Sequence, residues 1–387
     1  MSFTLLSFRL GGQRNASRAR ADIGQIWRFP GALTFVIFAS LLTACGTAVA
    51  PDTAPPGNPA FAGVVAVPEP RAALIGRDVI LAGGNAADAA AAMGMALAVT
   101  LPSRAGLNGG GACLVHDPAK RNAEVVEFSG ALARGLAALQ SRYGARPFAN
   151  AVAPAETLAR FGFPASKMLA DDLSQHGAAL MNDQTALSAF MDRRRQFAAA
   201  GTEIKLPALA ETLARLRTQG TVAPGGDAPI WRAAESMRDT GYDVLGRNDG
   251  TAAASAGFVV GDKKGMAVAC VLSMGAMFGA GRMDEGGALR AAALETSSLN
   301  PVIVKDAQFN QAVLLAAGAA DGVKVAMDDW LKAEMAYDAV RVRLQQSGEV
   351  ATAVCPTGLG VVGADCRTHS DARGFGLGLT FGPQERR

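Results

Sequence analysis

Histidine is scarce in this sequence: its 387 residues include only His116, His176 and His369. These are scattered without the spacing to one another or to cysteine that a metal site needs, so no cofactor or metal is expected. A positive surplus is also missing. The chain has 37 basic and 34 acidic residues, and five of those arginines and one aspartate lie in residues 1–44, leaving the remainder with a net charge near −1. That balance argues against nucleic acid as a partner and against a general affinity for anionic membranes, both of which require clustered positive charge. No apolar run reaches the roughly 20 residues that a membrane-spanning helix needs. What is abundant is apolar and small. Half the residues are hydrophobic, 18% are charged and 45 are glycine, which predicts a real core rather than disorder, with helices and strands packed at close range.

The first 45 residues read as an export segment. Arginines at 9, 14, 18, 20 and 28 precede the apolar stretch Gly31–Leu42, which ends in Leu42-Thr43-Ala44-Cys45. Cationic residues hold such a segment on the cytoplasmic side, and small residues before a cysteine admit a signal peptidase. The alternative is an uncleaved anchor or a buried strand. The lead-in is long, and a start codon downstream of Met1 would shorten it. The Leu-Thr-Ala-Cys tetrad resembles the lipobox of bacterial lipoproteins. The resemblance implies lipidation of Cys45 and a mature protein held by several acyl chains, stably where one chain would hold only marginally. The expected place is the cell envelope, facing the periplasm, with the membrane as a partner through Cys45. Residues 1–44 are then the signal peptide. Residues 45–62, rich in proline and small side chains, form a tether, residues 63–377 the folded domain and residues 378–387 a tail. In an oxidising compartment Cys355 and Cys366 are placed to close a short loop, while Cys113 and Cys270, inside apolar runs, are expected to be buried thiols.

Along the domain, residues 63–67 suggest a buried strand, followed by a helix over Arg71–Leu81. Asn85 caps a second helix, Ala86–Val99, apolar on almost every side and therefore buried between layers, with Asp88 in its first turn. Gly109-Gly110-Gly111 leads into a strand paired with Glu124–Phe128, and close backbone packing explains that glycine run better than an anion cradle. Residues 130–220 are mostly helical, with amphipathic spacing at Leu206–Leu216. A short helix is expected at Trp231–Met237. A hairpin follows, Gly257–Asp262 with Met266–Met274, turning at Lys263-Lys264-Gly265. Further helices are expected at Gln308–Ala320 and Asp329–Gln346, the first preceded by a strand at Val302–Val304, and the C-terminal part is strand-rich. Two strand-rich halves flanked by helices suggest an α+β fold, two sheets between outer helical layers.

The stretch at residues 76–115, GRDVILAGGNAADAAAAMGMALAVTLPSRAGLNGGGACLV, resembles the N-terminal signature of gamma-glutamyltranspeptidases. Residues 142–166, 206–216, 257–269, 277–281, 297–304 and 358–363 are similar to later segments of that family, in its order. The resemblance implies a four-layer αββα Ntn-hydrolase sandwich. It also implies a mechanism in which the chain cuts itself before a hydroxyl nucleophile whose new α-amine serves as base. Counting back from Phe258 places Ser255 at the nucleophile, where the competing and favoured reading is an ordinary strand-edge serine in an alanine-rich run; Thr251 would need a slipped register. The arginine with which the family grips the substrate carboxylate is matched by Ser129 and Gly130, a loss of charge-assisted hydrogen bonds worth about 1.5–3 kcal/mol each. The oxyanion-binding glycine pair is matched by Ala319 and Ala320, and a substrate-binding asparagine by Gly275. Ser297 and Ser298 match the family's paired serines, although without a cationic partner such serines more often serve as turn or cap residues. The segment before the nucleophile and the loop that lids the pocket are both short.

Two functional classes follow. One is a non-catalytic envelope lipoprotein serving as a scaffold or binding module, with an envelope protein as a possible partner. The other is a residual Ntn hydrolase acting on gamma-glutamyl or other small amides through Ser255.

Overall fold

The computed structural model describes residues 61–382 apart from positions 121, 193, 221–226, 240, 247–253, 300, 320–321, 328–348, 371–372 and 374. The proposed leader, Cys45 and nearly all of the tether therefore lie outside the described residues. The chain enters through β1 (Gly63–Val67), α1 (Pro70–Leu81) and α2 (Ala86–Thr100), then the hairpin β2 (Gly110–Asp117) and β3 (Asn122–Phe128). A helical stretch follows: α3 (Leu132–Tyr143), α4 (Phe148–Phe161), the short strand β4 (Phe163–Pro164), α5 (Lys167–His176), α6 (Gln184–Phe190), the short strand β5 (Glu203–Ile204) and α7 (Pro207–Gln219). The second half is strands: β6 (Ile230–Ala233), β7 (Ser236–Asp239), β8 (Tyr242–Gly246), β9 (Ser255–Asp262) and β10 (Ala267–Ser273). It closes with β11 (Val302–Asp306), β12 (Ala312–Gly318), β13 (Val350–Val354), β14 (Arg367–Ser370) and β15 (Leu377–Phe381).

Two antiparallel sheets result, ordered β15-β1-β9-β10-β2-β3-β6 and β14-β13-β12-β11-β8-β7. Alternation along each strand sends one set of side chains between the sheets and the other outward. The inner layer is small: Val64, Ala66, Ala112, Val259, Ala269 and Val271 of the first sheet meet Ile303, Leu315, Ala317, Ala351 and Ala353 of the second. The sheets come so close that a Cβ on Gly257 would lie 2.3 Å from the Ala317 carbonyl, so only glycine fits there. Outward residues of the first sheet, Val65, Val67, Val115, Phe258, Val260 and Leu272, pack in one core with α1 to α4. Outward residues of the second, Val302, Val304, Leu314 and Ala316, pack on Val323, Ala326 and Met327, which lie in a helical run at 322–327. The order of layers is helix, sheet, sheet, helix, the αββα Ntn-hydrolase-like sandwich.

Helix α2 is the pillar of the first layer, and all 15 of its residues are buried. A helix with no wet face must satisfy its ends internally. Asn85 and Asp88 form a reciprocal capping box, and Asp88 also accepts from the Gln140 side chain and the Ala145 and Arg146 amides. The Ala86 amide donates to Asp262 Oδ2 at 2.9 Å, while Asp262 Oδ1 accepts from the Lys264 and Met266 amides of the β9–β10 turn. One carboxylate thus joins the pillar to the central hairpin.

Burial raises the Asp262 pKa above the ordinary carboxylate range, and its three backbone donors offset only part of that. Glu69, buried as the cap of α1, shifts the same way. The folded state therefore holds these protons more tightly than the unfolded chain, so this contribution to stability falls as pH rises from about 4 through the folded-state values. Asp262→Asn is expected to show a shallower decline of Tm between about pH 4 and neutrality than the wild type, and equal slopes would contradict the assignment.

Several local expectations are corrected. Trp231–Met237 is no helix: it spans β6 and β7, which belong to different sheets. Gln308–Ala320 contains the central strand β12, whose apolar run AVLLAAG is buried on both faces and so lacks the alternation that would have distinguished it from a buried helix. The helix expected at Asp329–Gln346 lies outside the described residues. Cys113 and Cys270 are disulfide-bonded, because β2 and β10 pair in a register that sets them directly opposite. Cys355 and Cys366 are joined as well. The ordered domain is wider than residues 63–377. Phe61 and Ala62 are buried, the Ala62 amide donates to Phe381 O at 2.8 Å, and β15 completes the first sheet beyond residue 377. Among the described residues no helix is long and apolar enough to cross a membrane.

Candidate functional site

Ser255 is the first residue of β9, paired across the ladder with Ser273 of β10, and only 8% exposed. Ala254 before it has φ 56°, the left-handed region that an alanine enters at a cost of about 1 kcal/mol or more. The Ala254 carbonyl accepts a hydrogen bond from Ser273 Oγ at 3.2 Å.

Beneath Ser255 lies a charge cluster that begins at Arg104, in the turn after α2. Its guanidinium holds Asp172 of α5 bidentately, Nε to Oδ2 at 2.8 Å and Nη2 to Oδ1 at 2.7 Å. It also pairs with both carboxylate oxygens of Glu349, and its Nη1 lies 3.4 Å from the Ser255 carbonyl oxygen. Ser103 Oγ donates to Asp172 at 2.6 Å. Glu349 is shared with Arg373, which holds Asp171 at 2.7 Å. Burial alone would lower the Arg104 pKa, but the hydrogen bonds and charges of Asp172 and Glu349 outweigh it and hold the guanidinium above its ordinary range. Side-chain exposures of 8% for Arg104 and 2% for Asp172 make this a buried ion pair, where the charges stabilise each other only as a complete set. Ser255, Gly257, Glu349, Val350, Ala351 and Pro68 enclose a space of about 10 Å³, the size of one water molecule.

Of the other sequence-selected residues, Ala319 lies next to this cluster, while Ser297, Ser298 and Gly275 lie elsewhere. The Ala319 amide donates to the Glu349 carbonyl at 2.8 Å, so as placed it is engaged in the backbone of the second sheet; Ala320 and Thr251 lie outside the described residues. Ser297 and Ser298 occupy a single 3₁₀ turn, Thr296–Ser298, packed on β2 and β3, whereas Ser255 is separated from β2 by β10. Ser298 Oγ donates to the Glu295 carbonyl at 2.7 Å, a turn role, and Ser297 is exposed. Gly275, at φ 77°, is pressed against the Ala292 and Ala293 carbonyls, so backbone crowding requires glycine there. His116 is buried in β2 with Nε2 3.0 Å from the Asn310 carbonyl. Among the described residues no group of histidine, cysteine and carboxylate side chains could hold a metal.

Sequence reasoning passed over Arg104, Asp172, Glu349 and Arg373. They come from four separate segments, with Arg104 and Glu349 245 positions apart, so no spacing pattern links them. The one available signal was Arg104 itself, a lone cation in the apolar run LPSRAGLNGGGACLV.

Comparison with known proteins shows what this chain is similar to. The gamma-glutamyltranspeptidase family model matches residues 72–134 and 130–224. The glutathione hydrolase proenzyme of Escherichia coli is 32% identical over 196 residues, covering 39% of this chain and 34% of that protein. The glutathione hydrolase proenzyme of Bacillus subtilis is 30% identical over 195 residues, covering 42% and 33%. The chain thus spans about a third of the length of the curated relatives it matches. Among solved structures, the cephalosporin acylase of Bacillus halodurans superposes with a TM-score of 0.66 over 83% of this chain and 96% of that one, at 15% identity, a likeness of fold. The helical signature, the sandwich and these relatives agree in one likeness: over residues 72–224 this chain is similar to the gamma-glutamyltranspeptidase family.

Proposed function

We propose that this protein is a lipid-anchored, periplasm-facing member of the family that has given up catalysis and serves as a scaffold or binding module for an envelope partner. The observation that carries the reading is the narrow space of about 10 Å³ beside Ser255, lined by Glu349, which the Arg104 ion pair holds in place. A gamma-glutamyl amide is far larger than that space. The missing carboxylate-binding arginine and the engaged Ala319 amide weigh in the same direction. The lipobox-like sequence at Leu42–Cys45 and the proline-rich tether support the anchor.

A chromogenic gamma-glutamyl anilide tests this reading. The purified protein is expected to release the chromophore no faster than its Ser255→Ala variant, whereas serine-dependent turnover would overturn the pseudoenzyme assignment. One observation favours residual activity as a second reading. The Ala254–Ser255 peptide follows a strained alanine whose carbonyl is polarised by Ser273, as a bond poised for attack by the Ser255 hydroxyl would be. On that reading cleavage would free the serine amine and allow local opening around Glu349, giving a hydrolase for small amides.

A further inference from the structure

The end of the sandwich opposite Ser255 carries features that neither the fold nor the candidate site uses. β9 runs from Ser255 to Asp262, so this end lies about 23 Å away at 3.3 Å per residue. Here four loop tips and the chain entry converge. The Lys263 amide donates to the Ala62 carbonyl at 3.0 Å, tying the entry to the β9–β10 turn. Gly265 of that turn packs against Pro118 of the β2–β3 turn and Leu359 of the 355–366 disulfide loop. Asn310 of the β11–β12 turn reaches the Pro118 carbonyl at 3.4 Å, and Gln311 packs on Gly358.

Two of these tips expose apolar side chains with no structural use: Phe309 is 67% exposed and Val362 fully so. Lys263 and Lys264 are exposed on the neighbouring turn, and Lys120, half exposed, pairs with Asp117 at 3.9 Å and lies over the Tyr143 ring. Arg142 and Arg367 flank them, each paired with a carboxylate, Glu124 and Asp365. Asp117 and Asp262 at this end are buried, and Asp306 accepts the Gln308 and Phe309 amides. Among the described residues of this end, Lys263 and Lys264 are the exposed charges that pair with no carboxylate, and both are positive, although the chain as a whole is nearly neutral. Apolar tips ringed by lysine match the two layers of a bilayer interface: the tips enter the acyl boundary and the ammonium groups meet anionic headgroups.

We propose that this end docks on the surface of an anionic bilayer, with Phe309 and Val362 inserted and Lys263 and Lys264 at the headgroups. It deepens the lipoprotein reading, on which the orientation rests, because the segment leading from Cys45 enters the body at Phe61, on this same end. The anchor would then hold the docking face against the membrane and turn the Ser255 end outward.

Residues 46–387 contain both sheets and both disulfides, and residues 56–387 form one compact unit, so the unacylated body serves as the test protein. In flotation, it is expected to rise with vesicles of phosphatidylglycerol and phosphatidylcholine in equal parts and to stay down with phosphatidylcholine alone. Each lysine contributes about five-fold in affinity at a charged surface, so Lys263→Glu with Lys264→Glu is expected to weaken binding at least about twenty-fold. Phe309→Asp with Val362→Asp is expected to abolish flotation, with unchanged circular dichroism in both variants because all four positions are exposed. Absence of wild-type flotation, equal flotation of variants and wild type, or self-association through the same tips without lipid would each overturn the proposal. Acylation at Cys45 is read separately from the mass of the N-terminal peptide of the full chain, so failure of the anchor and failure of the docking face are distinguishable.

Discussion

Replacing Arg104 with methionine is expected to cost about 3–5 kcal/mol of folding stability, although the residue contacts no substrate in the proposed function. The size of the effect comes from what remains. Asp172, 2% exposed, would keep only the Ser103 hydroxyl for a carboxylate that now accepts three hydrogen bonds from two side chains. A buried charge without its partner carries a desolvation penalty that water cannot relieve. Glu349 would retain Arg373 and suffer less, because it is partly exposed. Methionine fills much of the volume of the arginine stem, so the loss reports charge rather than a cavity. Adding Asp172→Leu is accordingly expected to restore most of the stability, since an apolar pair of similar volume often matches or exceeds a buried ion pair. Urea titration with a common m-value would measure both. A loss below about 1 kcal/mol in the single variant would place the cluster in the class of surface ion pairs.

The disulfide between Cys113 and Cys270 carries the second large expectation. It closes a loop with a sequence separation of 157, for which chain-entropy arguments give about 5 kcal/mol, against about 3 kcal/mol for the separation of 11 between Cys355 and Cys366. Cys113→Ala with Cys270→Ala is therefore expected to destabilise more than Cys355→Ala with Cys366→Ala, by about 2 kcal/mol. The order should be reinforced because Cys113 and Cys270 are fully buried in the first sheet and alanine leaves a void there. Free thiols at positions 113 and 270 in a non-reducing digest, together with equal stabilities, would contradict the bridge.

The difference between what sequence conveyed about helix α2 and about strand β12 is instructive. Asn85, Asp88 and the uninterrupted apolar run after them mark a capped helix buried on all sides, and local chemistry alone suffices to see it. β12 is equally apolar on both faces, but without caps or alternation its sequence is compatible with either state, and only its pairing with β11 and β13 decides. The same holds for Cys113 and Cys270, whose bridge depends on the register of two strands that are far apart in sequence. At the candidate site, Ser255 is singled out through its distance from Phe258 along one strand, a choice that rests on the family resemblance. The cluster that closes the site is not, because its four side chains meet only once both sheets and α5 are in place. Ser297 and Ser298 illustrate the reverse limit: a matching motif in a turn whose hydroxyl, at Ser298, is committed to its own backbone.

The central claim, a sandwich retained without its self-processing chemistry, is tested most directly by the intact mass of residues 46–387 after prolonged incubation at neutral pH. A single uncut chain is the expected result: Ser255 then has no free α-amine, and the search for function moves to envelope partners. Two fragments with a new N terminus at Ser255 would contradict the claim, showing that the strained Ala254–Ser255 bond does break and that the Arg104–Glu349 cluster opens to admit chemistry.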